Sequence, residues 1–234
     1  MFYPFFIDYW YIVLVIPAMI IAGIAQFKVK STFNKFSKIR NVKNVTGAYA
    51  AQAVLSYYGI SDVKIERVSG KLSDHYDPKT KVIRLSDSVF SSNSVAAIGV
   101  ACHEAGHAAQ HAEDYAPIKI RNSIIPVCNI GSHLGIPLAL AGLLFTFPPL
   151  VYIGLALYAG ILVFHLVTLP VEFNASRRAI SVIEATSLLY DDEIDGAKKV
   201  LSAAAMTYVA SMLVALANFL RIALRILGSS RRRN

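Results

Sequence analysis

The sequence predicts a mainly α integral membrane protein: a helical membrane bundle carrying a small α+β cytoplasmic domain. Three observations lead there. Hydrophobic residues make up 55% of the 234-residue chain and charged residues only 16%, whereas a soluble chain carries about 25% charged residues. The apolar residues collect in four runs, 9–27, 124–147, 150–170 and 200–220, each close to the roughly 20 residues that cross a bilayer as helix. The polar remainder suffices for one compact domain, not two, and it holds the stretch Cys102-His103-Glu104-Ala105-Gly106-His107.

Residues 1–27 read as an N-terminal membrane helix. No positive charge precedes its apolar run and no small-residue cleavage site follows, so it is not a cleavable signal. Pro17 is expected to kink it, which membrane helices tolerate. Asp8 is the charge before the run; Lys28, Lys30, Lys35, Lys38, Arg40 and Lys43 follow it. The positive-inside rule then puts the N-terminus outside and residues 28–123 in the cytoplasm. Within that segment Thr46 caps a helix that Gly59 stops. The alternation of 63–68 and of 81–85 reads as two short strands. Asp77-Pro78-Lys79-Thr80 is a turn, and Ser91–Ser94 supplies caps for a helix from about Val95 to about His111. Residues 124–170 form a membrane hairpin broken at Pro148-Pro149. His133 and His165 lie inside it, as functional groups or as hydrogen-bonded histidines of a helix interface. Residues 171–199 are polar again, with Pro170 at the first turn of a new helix or at a kink. Residues 200–234 hold the fourth run, spanning or re-entrant, and the basic tail Arg231–Arg233.

The net charge of +8 comes mainly from residues 28–43 and that tail. Beside membrane segments such charge sets orientation and touches anionic lipid. Nucleic-acid binding is not expected, since basic and aromatic residues do not interleave as a stacking platform. Two cysteines, Cys102 and Cys128, are too few for a disulfide framework, and Cys102 reads as a small buried side chain.

His-Glu-x-x-His on a helix sets His103 and His107 on one face, one turn apart, where two neutral imidazoles can share a zinc ion. Glu104 then stands beside the metal as the base for its water. The plain alternative, two surface histidines and a glutamate, does not suit flanks of Ala, Gly, Val and Ile. A catalytic zinc needs a third protein ligand and an open position. His111 lies about 12 Å along the axis from His103, too far to share the ion with it. Glu172, just after the third run returns to the motif's side, is the better choice, and Ser176 can hydrogen-bond a ligand from behind. The alternative for Glu172 is a helix-start acid favoured by the dipole. Glu184, Asp191, Asp192 and Glu193 rank below it, the last three reading as a solvated acidic turn.

The chain resembles the YugP-like neutral zinc metallopeptidases of bacterial membranes. The resemblance runs through 46–51, Ser-Asp-His-Tyr-Asp-Pro-Lys at 73–79, Ala-Cys-His-Glu-Ala-Gly-His-Ala at 101–108, Leu-Pro-Val-Glu-Phe-Asn-Ala-Ser-Arg-Arg-Ala at 169–179 and Ala-Ala-Met-Thr-Tyr-Val-Ala at 204–210. The order of elements is also similar to the HtpX and Ste24 membrane proteases, where a Glu ligand follows a membrane hairpin. Those relatives carry an Asp four residues after that Glu, where Ser176 stands here. FtsH shares His-Glu-Ala-Gly-His but needs an ATPase segment this chain lacks. The resemblance implies a zincin-like metalloprotease domain of gluzincin type. It further implies a multi-pass cell-membrane enzyme with Zn²⁺ on His103, His107 and Glu172, Glu104 as general base, and a polypeptide substrate, membrane proteins being one candidate class. Tyr208, His75 and Arg177 are the candidate oxyanion helpers, Tyr208 drawing weight from its place in one of the similar segments. The strand at 81–85 offers an edge for an extended substrate or is simply structural. Oligomeric or regulatory membrane partners fit this class. The rival readings are a non-catalytic zinc-containing chaperone or scaffold subunit, and a lipid-surface or nucleic-acid binder.

Overall fold

The first apolar run opens with a wide helical turn over Tyr11–Val15 and continues as α1, Ile16–Phe36. The wide turn comes just before Pro17, which has no N–H to give the carbonyl four residues back. The computed structural model describes residues 8–70 and 72–231; Arg232 and Arg233 of the expected basic tail lie outside the described residues. Helix α2, Gly47–Tyr57, begins where the Thr46 side chain accepts a hydrogen bond from Tyr49 N at 3.3 Å. It ends before Gly59, whose φ of +66° suits glycine.

Three strands follow: β1 Lys64–Val68, β2 His75–Asp77 and β3 Val82–Ser86. The sheet order is β1-β3-β2, with β1 parallel and β2 antiparallel to β3. Here the structure corrects an expectation. The strand at 81–85 is β3, the centre of the sheet, paired on both sides and without a free edge. The edge beside the next long helix belongs to β2, which the sequence does not announce: three residues are too short for a visible alternation. Asp77 closes the strand by accepting from Lys79 N at 2.9 Å and Thr80 Oγ at 2.7 Å, the turn chemistry expected at 77–80.

A short helix α3, Asp87–Phe90, leads to α4, Val95–Ala112, whose first turn is capped by Ser94 accepting from Ala97 N at 3.2 Å. Helix α5, Ala116–Leu144, starts well before the second apolar run and bends by 51° between Pro126 and Cys128, where proline breaks the hydrogen-bond ladder. Helix α6, Pro148–Ala185, contains Pro170 in its interior. No new helix starts at 171, so the polar stretch 171–199 is two pieces, the end of α6 and the start of α7, Asp191–Arg231. The acidic residues 191–193 form the first turn of α7, where the helix dipole favours them. Glu193 accepts there from Tyr190 N at 2.9 Å and from Val42 N at 2.7 Å.

The described chain is therefore mainly α with one small sheet. Three helices are long and apolar enough to cross a membrane, Tyr11–Phe36, Pro148–Ala185 and Asp191–Ile226, or four if bent α5 is one span. The chain divides into two compact units. One comprises 1–26, 120–169 and 207–234. In it Asp8, before the apolar run of α1, pairs with Arg221 and Arg225, both at 3.0 Å, near the end of α7. The Arg221 guanidinium also lies 4.8 Å from the Tyr11 ring centre. Inside this unit α1 and α7 thus run with opposite polarity. The other unit comprises 27–119 and 170–206. Its core joins α2, β3, α4 and the adjoining parts of α6 and α7 through Val54, Leu55, Ile83, Leu85, Ile98, Ile183 and Ala197, all fully buried.

Candidate active site

Helix α4 is built mostly from small residues, with Ala96, Ala97, Ala101, Ala105 and Ala109 fully buried. Small side chains let backbones approach closely, and the closest approach falls inside the motif. A Cβ on Gly106 would sit 2.7 Å from the carbonyl oxygen of Ala175 on α6. Glycine between the two histidines therefore sets the distance from α4 to the turn of α6 that carries Glu172 and Ser176.

The result is a tight cluster. His103 Nε2 lies 3.2 Å and His107 Nε2 3.6 Å from the same oxygen, Oε2 of Glu172. The two rings are 4.7 Å apart and nearly perpendicular. Among the described residues, this is the group of three His, Cys, Asp or Glu side chains whose ligand atoms gather closely, all within 4.8 Å of one another. His107 and Glu172 are buried and His103 nearly so. Burial raises the Glu172 carboxyl, but hydrogen bonds and charge from the two imidazoles, when these carry their second proton, outweigh it and hold the group well below the usual carboxylate range.

Behind the cluster each histidine is gripped at its other nitrogen. His103 Nδ1 meets Ser176 Oγ at 3.1 Å, and His107 Nδ1 meets Gln110 Oε1 at 3.0 Å. The Gln110 orientation follows from its neighbours. Its Nε2 donates to the carbonyl of Val171 at 2.8 Å, which can only accept. It also donates to Asn174 Oδ1 at 2.9 Å, an oxygen that takes a second hydrogen bond from Arg178 Nε at 2.8 Å. Arg178 can only donate, and it is held by Glu113 at 2.7 Å. Every link has one possible direction. Gln110 must turn its oxygen to His107, His107 must donate from Nδ1, and a neutral His107 keeps its lone pair on Nε2, toward Glu172.

Glu104 is half-buried beside the cluster. Burial pushes its carboxyl up to about 7, with His103 opposing the shift and Glu172 and Asp74 adding to it. The backbone of Tyr76 on β2 slightly favours the charged form, so the edge strand lies near Glu104. Tyr76 also bonds His111 Nδ1 through its hydroxyl at 2.8 Å, and burial pushes that phenol up to about 12. His111 is thus tied to β2 and stands outside the cluster.

Of the other residues singled out, His75 is exposed on β2, its Nδ1 2.8 Å from Ser73 O. Arg177 is exposed on α6 and, with Phe173 and Ser176, lines a groove of about 450 Å³. Tyr208 lies on α7 in the other unit. Glu184 pairs with Lys198 at 2.9 Å. Cys102 is fully buried under α2 and Cys128 is buried in the other unit, both as free thiols. Gln110, Tyr76 and Arg178 escaped the sequence. Tyr76 and Arg178 stood only inside the family-like segments, whereas Gln110 left a local trace: a polar residue three places after His107, on the same face of the helix.

Comparison with known proteins agrees with this architecture. A family model described as "Putative neutral zinc metallopeptidase" matches residues 11–227. The chain is 45% identical over 218 residues to "Putative membrane protease YugP" of Bacillus subtilis (strain 168), covering 93% of this chain and 97% of that protein. No solved structure matches the chain. Matched from residue 11 to residue 227, the chain belongs to the family described as putative neutral zinc metallopeptidases.

Proposed function

We propose that the chain is a membrane-embedded zinc endopeptidase of gluzincin type, with His103, His107 and Glu172 as the protein ligands of Zn²⁺ and Glu104 as the general base. The observation that carries this reading is the triangle of two Nε2 atoms and one carboxylate oxygen. Tetrahedral nitrogen and oxygen ligands about 2.1 Å from a zinc ion stand roughly 3.4 Å from one another. The Nε2–Oε2 separations of 3.2 and 3.6 Å bracket that value. The donor set of two imidazoles and a carboxylate, with one position left for water, is that of a catalytic zinc rather than a structural one.

A zinc ion bound there would supply Lewis acidity and a water acidic enough to ionise near neutral pH. Glu104 takes up a proton from the attacking water and returns it to the departing amide nitrogen. Its raised affinity for protons suits both halves of that task, since a base poised near 7 can also act as the acid. Gln110 and Ser176 hold the imidazoles in the orientation that directs Nε2 inward. Tyr208, His75 and Arg177 remain the donors offered for the developing oxyanion.

The substrate edge belongs to β2, not to β3. An extended peptide added along the outer side of β2 would lie beside α4, with its scissile carbonyl near Glu104. A sheet edge flanking the motif helix supports the zincin-like reading of this unit. The apolar helices support a multi-pass cell-membrane protein, and the lysines after residue 27 favour a cytoplasmic active site. The pairing of Asp8 with Arg221 and Arg225 favours α7 as a full span.

The test is Glu104→Gln in the full-length protein. Zinc content should stay at the wild-type level while cleavage of a peptide or membrane-protein substrate falls by at least a thousandfold. Cleavage at the parental rate would reject Glu104 as the base.

A further inference from the structure

In the unit that holds the cluster, α1 and α7 enclose a cavity of about 500 Å³ walled by Lys28, Lys35, Lys198 and Lys199. All four lysines are exposed at its rim. One acid, Asp195, shares the wall, and Lys198 is tied to Glu184 at 2.9 Å. That leaves a surplus of two positive charges. Among the described residues, Lys28 and Lys199 make no ion pair. Lysines grouped with so little acid make a positive surface that attracts an anion.

The position of the lysines says what kind of anion. Lys28 is the first residue after the apolar run of α1, and Lys199 is the last before the apolar run of α7. From Lys28 to Lys35 α1 rises about 10 Å. A headgroup layer is roughly 5–8 Å deep on each side of the hydrocarbon, so these lysines stand at its level. The lining also changes in polarity along α7, from Lys198 and Lys199 through the Ser202 hydroxyl to Ala203 and Met206. Met206 is apolar yet 44% exposed. A lipid presents the matching order: phosphate, glycerol esters, acyl chain. Free phosphate would satisfy the lysines but offers nothing to the apolar end of the wall at Met206, and a choline headgroup would bring a cation toward the lysines.

We propose that this cavity binds the phosphodiester headgroup of an anionic phospholipid from the leaflet next to this unit. The proposal rests on the reading of α1 and α7 as membrane spans and is independent of the zinc chemistry. In the test, full-length protein is titrated with dioctanoyl phosphatidylglycerol, dioctanoyl phosphatidylcholine and inorganic phosphate, and bound ligand is counted by native mass spectrometry. One phosphatidylglycerol should bind saturably, at least tenfold tighter than either competitor. Lys28→Gln with Lys199→Gln should weaken it on the order of tenfold to thirtyfold, about fivefold per lysine. Lys30→Gln with Lys38→Gln, which removes the same charge from α1 and the turn after it, outside this cavity, should leave it within twofold. An equal loss in both double variants would show diffuse attraction and overturn the site. Equal binding of phosphatidylcholine or of inorganic phosphate would overturn the anionic lipid as its occupant. Glu104→Gln should bind the lipid as wild type does, and insertion into phosphatidylcholine nanodiscs checks the membrane reading separately.

Discussion

Replacing Gln110 by leucine tests the hydrogen-bond chain behind His107. Gln110 is fully buried and makes three hydrogen bonds, to His107, Val171 and Asn174. Leucine is close in volume, so the cavity cost is small. The polar cost is not. Asn174 Oδ1 keeps Arg178 and loses little. The Nδ1–H of His107 has no acceptor in its place, and a buried unpaired donor costs about 1–3 kcal/mol. The ring can escape that cost by moving its proton to Nε2, the atom proposed to hold the metal. Zinc affinity should therefore fall by about 10–100-fold, as when a partner that orients a ligand is lost. Gln110→Glu separates the two jobs of the amide. A carboxylate still accepts from His107 but gives no hydrogen to Val171 or Asn174. It should keep zinc affinity within about fivefold while lowering the unfolding temperature. Chelator-competition titrations with zinc, alongside thermal unfolding of the zinc-free proteins, measure both effects. A folded Gln110→Leu protein that binds zinc as tightly as wild type would refute the orienting role.

Gly106→Ala should be destabilising by about 1–3 kcal/mol although alanine is the better helix former, because its Cβ would meet the Ala175 carbonyl at 2.7 Å. Zinc affinity should drop with it, since α4 and α6 must part; a more stable variant in thermal unfolding would contradict the packing described. The acid side of the pH profile follows from Glu104, whose carboxyl burial pushes up to about 7. A base works in its charged form, so kcat/KM should rise with pH through that group's pKa. A neighbouring dication favours the carboxylate, so the acid limb in the zinc enzyme should lie below about 7; activity that falls across this range would be the wrong sign. Asp8→Ala removes the carboxylate shared by Arg221 and Arg225 and should cost up to about 3–5 kcal/mol, the loss seen when one partner leaves a buried pair. Thermal unfolding in nanodiscs measures it, and an unchanged midpoint would show that the pair does not hold α1 to α7.

Local signals were legible in the sequence wherever the physics is local. Hydropathy marks the long helices because spanning length is a property of one segment. Thr46, Ser94 and Gly59 mark helix ends because a cap or a positive φ needs only neighbouring residues. The spacing of His103, Glu104 and His107 sets their common face for the same reason. Other features depend on residues distant along the chain. β2 exists because β3 pairs with it, and β3 loses its free edge through that pairing. Pro170 does not end α6, because packing against α4 holds the helix through the gap in its ladder. Gln110 looks like an interruption of an apolar face until Val171, Asn174 and Arg178 arrive from another helix to fix its direction. Glu172 was one carboxylate among several after the hairpin. Its place beside both imidazoles was decided by the close approach that Gly106 permits between α4 and α6, a contact no single stretch of sequence contains.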